Sequence, residues 1–98
     1  MKTSIFTAFF TLTLCLPAYA WQDICTDMST EAGVIMTARQ AEAPMHKVMS
    51  WAVEGGDNIT EEIVIDAFNH PLVDGLQEKL LISEFENRWY GICVEIFR

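Results

Sequence analysis

Basic residues are scarce in this chain. Lysine and arginine together number six, against fourteen aspartates and glutamates, which gives a formal net charge of −8. The basic residues form no cluster, and no platform of aromatic residues accompanies them. Because nucleic acids and anionic membranes attract lysine and arginine, such a surface repels both. The acidic balance favours a basic protein partner, or it serves only to keep the protein soluble.

Long hydrophobic runs are absent except at the N-terminus. Lys2 precedes an apolar stretch, residues 5–16, which only threonines interrupt, and small residues at 18 and 20 follow Pro17. This pattern is typical of a cleaved secretory signal peptide, and the stretch is too short for a permanent membrane span. We therefore predict a signal peptide over residues 1–20 and a mature domain over 21–98, periplasmic or secreted, with no membrane insertion after cleavage. The mature chain keeps five basic and fourteen acidic residues, a balance of −9.

Cysteine is also rare, and no Cys-x-x-Cys motif occurs. Cys15 lies within the predicted signal, and Leu14 before it argues against a lipid-attachment site. The mature chain retains Cys25 and Cys93, which an oxidising compartment should join in a structural disulfide. Closing that loop stabilises a folded chain by roughly 4 kcal/mol in the chain-entropy model. A mature chain of only 78 residues (98 less 20) benefits from such a staple.

Helical spacing of apolar residues follows the predicted signal. A first helix is expected from Asp23, as its N-cap, to Gln40, with Gly33 allowing another helix to approach closely. Its inner face consists of residues at three- and four-residue steps: Ile24, Cys25, Met28, Ala32, Ile35, Met36 and Arg39. A second helix should have Pro44 in its first turn and end at the glycines 55–56.

Two further helices complete the predicted fold. A third should open at Asn58 or Thr60, acting as N-cap, and stop before Pro71. The alternative for residues 63–65, a β-strand, lacks a second strand to pair with. In the fourth, Asp74 and Gln77 should cap each other, ahead of an apolar stripe comprising Leu76, Leu80, Leu81, Phe85, Trp89, Ile92, Cys93 and Ile96. The prediction is an all-α, antiparallel bundle of about four helices clasped by Cys25–Cys93.

Two short segments, residues 35–40 (Ile-Met-Thr-Ala-Arg-Gln) and 85–87 (Phe-Glu-Asn) with Cys93, carry a resemblance. They resemble a group of short signal-peptide-bearing proteins found in gammaproteobacteria and their phages or prophages. That group usually has a glycine two positions after the Arg-Gln pair, where this chain has Glu42, so the end of the first helix is expected to differ. Because the group has no established activity, the resemblance implies a fold and an exported setting and transfers no catalytic residue.

Residues arranged for catalysis are lacking. No serine stands in a Gly-x-Ser-x-Gly turn, and the mature chain has no third cysteine to act as a nucleophile. We therefore expect no enzyme and no cofactor. Glu62, Asp66 and His70, spaced four apart on one helix face, are weak candidates for metal ligands. The alternative is a solvated acidic face that ends in a histidine, and His46 is expected to be a surface residue.

The remaining candidates are partner-binding residues. Arg39 and Gln40 could anchor a partner's carboxylate, or Arg39 could pair with an acid on the last helix, Glu84, Glu86 or Glu95. Trp51, Trp89 and Tyr90 would be binding hot spots wherever they are exposed. The sequon at residues 58–60 is interpreted as a helix start rather than a glycosylation site.

One function is expected, with a second as its alternative. The first is a small exported protein that binds a protein partner as an inhibitor, immunity factor or regulator in the envelope. The second is a periplasmic acid-stress chaperone that acid would open, because fourteen carboxylates lose charge as the pH falls. The sequence indicates no oligomeric state.

Overall fold

Four helices follow one another along the chain. A computed structural model describes the backbone of residues 2–98 and the side chains of residues 20–98. The helices are α1 (Lys2–Gln40), α2 (Met45–Glu54), α3 (Asn58–Phe68) and α4 (Leu76–Phe97), with no strand over residues 2–98. The predicted all-α fold is confirmed. The signal peptide predicted for residues 1–20, including Cys15, lies outside the described side chains except at Ala20.

The disulfide predicted between Cys25 and Cys93 is present. It joins α1 to the last turns of α4, with the two Cα atoms 5.4 Å apart and both side chains fully buried. At the other end of the pair, Gln40 at the end of α1 contacts Val73, just before α4. Since the earlier residue of α1, Cys25, meets the end of α4, and the last residue, Gln40, meets the chain just before α4, the two helices run antiparallel.

The core lies where α1, α3 and α4 face one another. Its members on α1 all belong to the predicted inner face: Cys25, Met28, Ala32, Ile35 and Met36. On α3 they are Ile63, Val64 and Ala67. On α4 the buried line is Phe85, Trp89 and Cys93, at four-residue steps. From α2 only Ala52 is fully buried, so this short helix is the least anchored of the four.

The predicted stripe on α4 is wrong at its ends. Leu76, Leu80 and Ile96 are 73, 53 and 58% exposed. Leu80 is one position from Leu81, which continues the buried line, and a one-residue offset turns a side chain by about 100° around the helix. Ile96 lies beyond the disulfide, in the last turn. Ile24, expected on the inner face of α1, is also exposed.

α1 ends in a Schellman motif around Glu42. The amide of Ala43 donates to the carbonyl of Ala38 and that of Glu42 to Arg39, at 3.0 and 2.9 Å. This pattern places the intervening residue in the left-handed conformation that glycine normally occupies. Glu42 has that conformation, with a φ of 64°. The helix end therefore keeps the geometry suited to glycine although the residue is glutamate.

The other helix ends correct several predictions. α1 runs through Asp23 without interruption, so Asp23 is not an N-cap. Asp57 caps α3, its carboxylate accepting from the amide of Ile59 at 2.9 Å, which displaces Asn58 into the helix. α4 begins after Gly75, which has a φ of 62°. No side chain caps this helix start, so the predicted capping between Asp74 and Gln77 is wrong.

The remaining boundaries follow the expectations closely. Pro44 immediately precedes α2, and its carbonyl accepts hydrogen bonds from the amides of Lys47 and Val48. Gly55 and Gly56 end α2, and α3 stops at Phe68, ahead of Pro71. At Gly33 a side chain would collide with the carboxylate of Glu86, so α4 approaches α1 closely there, as predicted.

Candidate functional site

A shallow apolar groove runs between α1 and α2. It has a volume of about 260 Å³, and its lining is almost wholly apolar. The α1 wall presents Val34 and Ala38, one turn apart, above the buried Ile35. The α2 wall presents Val48 and Trp51, also one turn apart, and Lys47 lies at the start of that wall. Since α2 packs mainly on α3 and touches α1 little, the space between α1 and α2 stays open.

Trp51 also lines a second, acidic pocket. This pocket has a volume of about 370 Å³ and contains three carboxylates, those of Glu31, Glu54 and Asp57. Two of them have structural contacts: Glu31 accepts a hydrogen bond from the hydroxyl of the buried Thr60 at 2.5 Å, and Asp57 caps α3. One indole therefore separates an apolar groove from an anionic pocket. Such a pair of pockets could take an apolar and a cationic group of the same partner.

The three predicted aromatic hot spots have different positions. Trp51 is 49% exposed, and Tyr90 is 36% exposed on α4. Trp89 is only 8% exposed, and its indole Nε1 donates to the carboxylate of Asp66 at 2.9 Å. Trp89 is therefore a core residue with a satisfied polar group. Trp51 is the one of the three that is both exposed and part of a pocket lining.

Arg39 and Gln40 hold the connection between α3 and α4. The Arg39 guanidinium donates twice to the carbonyl of His70, at 3.0 and 3.2 Å, and lies 5.2 Å from the ring centre of Phe68. The Gln40 amide donates to the Pro71 carbonyl at 3.0 Å and accepts from the amide of Val73 at 2.9 Å. Both side chains thus fasten the backbone of residues 70–73 to the end of α1.

The prediction that Arg39 pairs with an acid of α4 is wrong. The antiparallel pairing that joins Cys25 to Cys93 places the end of α1 beside the beginning of α4. The acids proposed as partners, Glu84, Glu86 and Glu95, lie further along α4. Arg39 therefore meets a backbone carbonyl and an aromatic ring instead of a carboxylate.

The metal candidates do not converge. The Asp66 carboxylate accepts from Arg88 and Trp89, at 2.8 and 2.9 Å through the same oxygen. The His70 ring lies edge-on to Phe85, and its Nδ1 is 2.8 Å from the Asp66 backbone carbonyl. Glu62 is exposed. Within the described part of the chain, no three histidine, cysteine or acidic side chains lie together so as to hold a metal ion. His46 is a surface residue.

Sequence reasoning found Trp51 and missed the residues around it. Val34 and Ala38 each lie one position from a residue of the predicted inner face of α1, so the helical spacing does not mark them as a separate surface. A second stripe at i and i+4 next to the core stripe was the available signal. The carboxylates of Glu31, Glu54 and Asp57 come from three separate segments, so only the fold brings them together.

Comparisons with known proteins give no relative. No protein-family model matches the chain, and neither a curated protein nor a solved structure is significantly similar to it. None of the helices over the described residues is long and apolar enough to cross a membrane.

Proposed function

We propose that this protein is a small exported binding protein that inhibits, neutralises or otherwise regulates another protein of the envelope. The observation that carries the proposal is Trp51, half-exposed between an apolar groove and an acidic pocket. Tryptophan is among the residues most enriched at binding hot spots, because it buries a large area at a small cost in conformational entropy. A folded protein that leaves it exposed beside a groove has a surface suited to a partner.

Export is part of the proposal. The first twenty residues have the charge, apolar run and small residues of a cleaved signal, and a fully buried disulfide is compatible with an oxidising compartment. The balance of −9 after cleavage favours a basic partner through electrostatic steering. The disulfide and the Gln40 contacts hold α1 against α4 and its preceding turn, so the α1 wall of the groove is rigid and loses little entropy on binding.

The test is a capture experiment with matched variants. The full chain is expressed with its own export signal, purified in oxidised form, immobilised and exposed to an envelope extract of its host. N-terminal sequencing of the purified protein checks cleavage before Trp21. We expect one protein to be retained by the wild type and by Tyr90→Ala, and lost with Trp51→Ala. Retention that Trp51→Ala leaves unchanged would contradict this site.

A second candidate function is an acid-stress chaperone, which two carboxylates favour. Asp66 holds Arg88 and Trp89 of α4 against α3, and Glu31 holds Thr60 of α3 against α1. Both links between helices depend on a carboxylate as acceptor, and a chain with fourteen carboxylates loses negative charge as the pH falls. The test follows near-ultraviolet circular dichroism and the aggregation of a client protein from pH 7 to 2. Opening of the fold with protection of the client supports this function, and a native spectrum at pH 2.5 contradicts it.

A further inference from the structure

The groove between α1 and α2 has a shape and a charge pattern that identify its occupant. We propose that it binds a short amphipathic helix of the partner, whose apolar side chains enter the groove and whose basic end lies over the acidic pocket beyond Trp51. This inference rests on the proposed function, since it specifies what the partner presents to the Trp51 surface. It adds the secondary structure of the bound segment and the direction of its charge.

The walls of the groove indicate a helix. Both walls are helices, whose backbone amides and carbonyls are already paired within each helix, and residues 2–98 offer no strand edge to which an extended peptide could add. A polyproline segment binds between several aromatic rings, whereas this groove has one, Trp51. Val34 and Ala38 form one row, and Val48 and Trp51 form the opposite row, with the two residues of each row one helical turn apart. This spacing matches apolar residues at i, i+3, i+4 and i+7 of a docked helix.

The charges along α2 give the groove a direction. Lys47 lines the groove at the beginning of α2, and Glu54 and Asp57 line the acidic pocket at its end, with Glu31 beside them. The dipole of α2 has the same polarity, positive at the start and negative at the end. A bound helix should therefore carry lysine or arginine at the end near Glu54. Because Trp51 lines the same pocket as the carboxylates, such a cation would also lie near an aromatic ring.

The same charges disfavour the other occupants. A second copy of this chain brings the same excess of acidic residues to an acidic rim, and an anionic membrane is repelled for the same reason. A basic, amphipathic segment of another protein satisfies both the apolar lining and the rim.

Three synthetic peptides test the proposal against the oxidised full-length protein. Each has about 18 residues, because shorter isolated helices are marginal in water. The first two share one leucine face. The first carries lysines in its first two turns and glutamates in its last two, the second has these charges exchanged end for end, and the third has the charges of the first but a scrambled leucine pattern. Binding is measured by fluorescence anisotropy at about 150 mM salt, where long-range attraction is largely screened.

We expect the first or the second peptide to bind at least about tenfold more tightly than the other two, a difference of about 1.4 kcal/mol. Which of the two binds reports the direction of the bound helix relative to α2. Equal binding of the first two would show that the helix docks in either direction, and the proposed polarity is overturned if Glu54→Lys then weakens neither peptide. Equal binding of the scrambled peptide would overturn the helix.

Two matched pairs of variants locate the binding. Glu54→Lys and Glu84→Lys make the same change of charge at exposed glutamates, one in the acidic pocket and one on α4. Val34→Asp and Val53→Asp alter valines of nearly equal exposure, 56 and 54%, of which only Val34 lines the groove. We expect the first member of each pair to weaken the preferred peptide at least about tenfold and the second to change it less than about threefold. Equal effects within a pair would overturn the site.

The failure of this inference can be told from failure of the proposed function. If no peptide binds while Trp51→Ala still abolishes capture of the envelope protein, the helix is overturned and the binding function stands. If Val34→Asp converts a dimer of the wild-type protein into a monomer, as measured by light scattering, the occupant is a second copy and the inference is overturned.

Discussion

Replacing Glu42 with glycine should stabilise the protein. Glu42 is the residue of the Schellman motif that has a φ of 64°, in the turn between α1 and α2. The left-handed conformation costs a residue with a Cβ about 1 to 2 kcal/mol, and glycine avoids this cost. Glycine in turn loses about 0.4 to 1 kcal/mol more conformational entropy on folding. Removing a negative charge from the C-terminal end of α1 adds about 0.3 kcal/mol.

The net expectation is a gain of about 1 kcal/mol, which raises the Tm by about 4–8 °C for a domain of this size. Urea unfolding of the oxidised protein, followed by circular dichroism, measures it. Glu42→Gln removes only the charge and should give no more than about 0.3 kcal/mol. Glu78 lies inside the first turn of α4, and Glu78→Gly should lower the free energy of unfolding by up to about 1 kcal/mol. Our account of the turn is refuted if Glu42→Gly is neutral or destabilising, or if Glu42→Gln matches it.

Three other predictions concern the contacts that hold the helices together. Gln40→Met keeps the length of the side chain but removes both hydrogen bonds to residues 71–73. Urea unfolding should therefore show a free energy of unfolding lower by about 2 to 3 kcal/mol. The control Gln77→Met, on the exposed face of α4, should change this free energy little. Asp66→Ala leaves the Trp89 indole without its acceptor and should cost about 1 to 2 kcal/mol, whereas Asp66→Asn, which retains an acceptor, should cost less than about 1 kcal/mol. Because Cys25 is fully buried, dithiothreitol should reduce the disulfide only at urea concentrations that unfold the protein. Reduction should lower the free energy of unfolding by up to about 4 kcal/mol. Rapid reduction of the native protein would contradict this prediction.

The helices and the core were predictable, because both depend on the spacing of apolar residues. Met28, Ala32 and Ile35 recur at helical steps, and the structure buries them all. The helix caps were less predictable, because several residues near a boundary can accept the same amide and only the backbone angles decide among them. Asp57 caps α3 although Asn58 and Thr60 were equally suitable by residue type.

The partners of polar side chains were the least predictable feature. Arg39 was expected to meet a carboxylate because opposite charges attract, and no local pattern in the sequence indicates that a backbone turn lies within its reach. Its partner depends on the register of α1 against α4, which the disulfide and the length of the α3–α4 connection decide together. The acidic pocket beside Trp51 was missed for the same reason, since three separate segments contribute to it.

The distribution of strong contacts explains why the proposed binding surface lies on α2. One end of the α1–α4 pair is closed by the disulfide, and the other is closed by Gln40, which holds the chain before α4. α3 is tied to α4 through Asp66 and to α1 through Thr60. Among the described residues, no side-chain hydrogen bond or ion pair joins α2 to another helix, and Ala52 is its only fully buried residue. α2 is therefore held by apolar packing, through Ala52, Val48 and Met49, and its polar groups and its exposed tryptophan remain available to a partner.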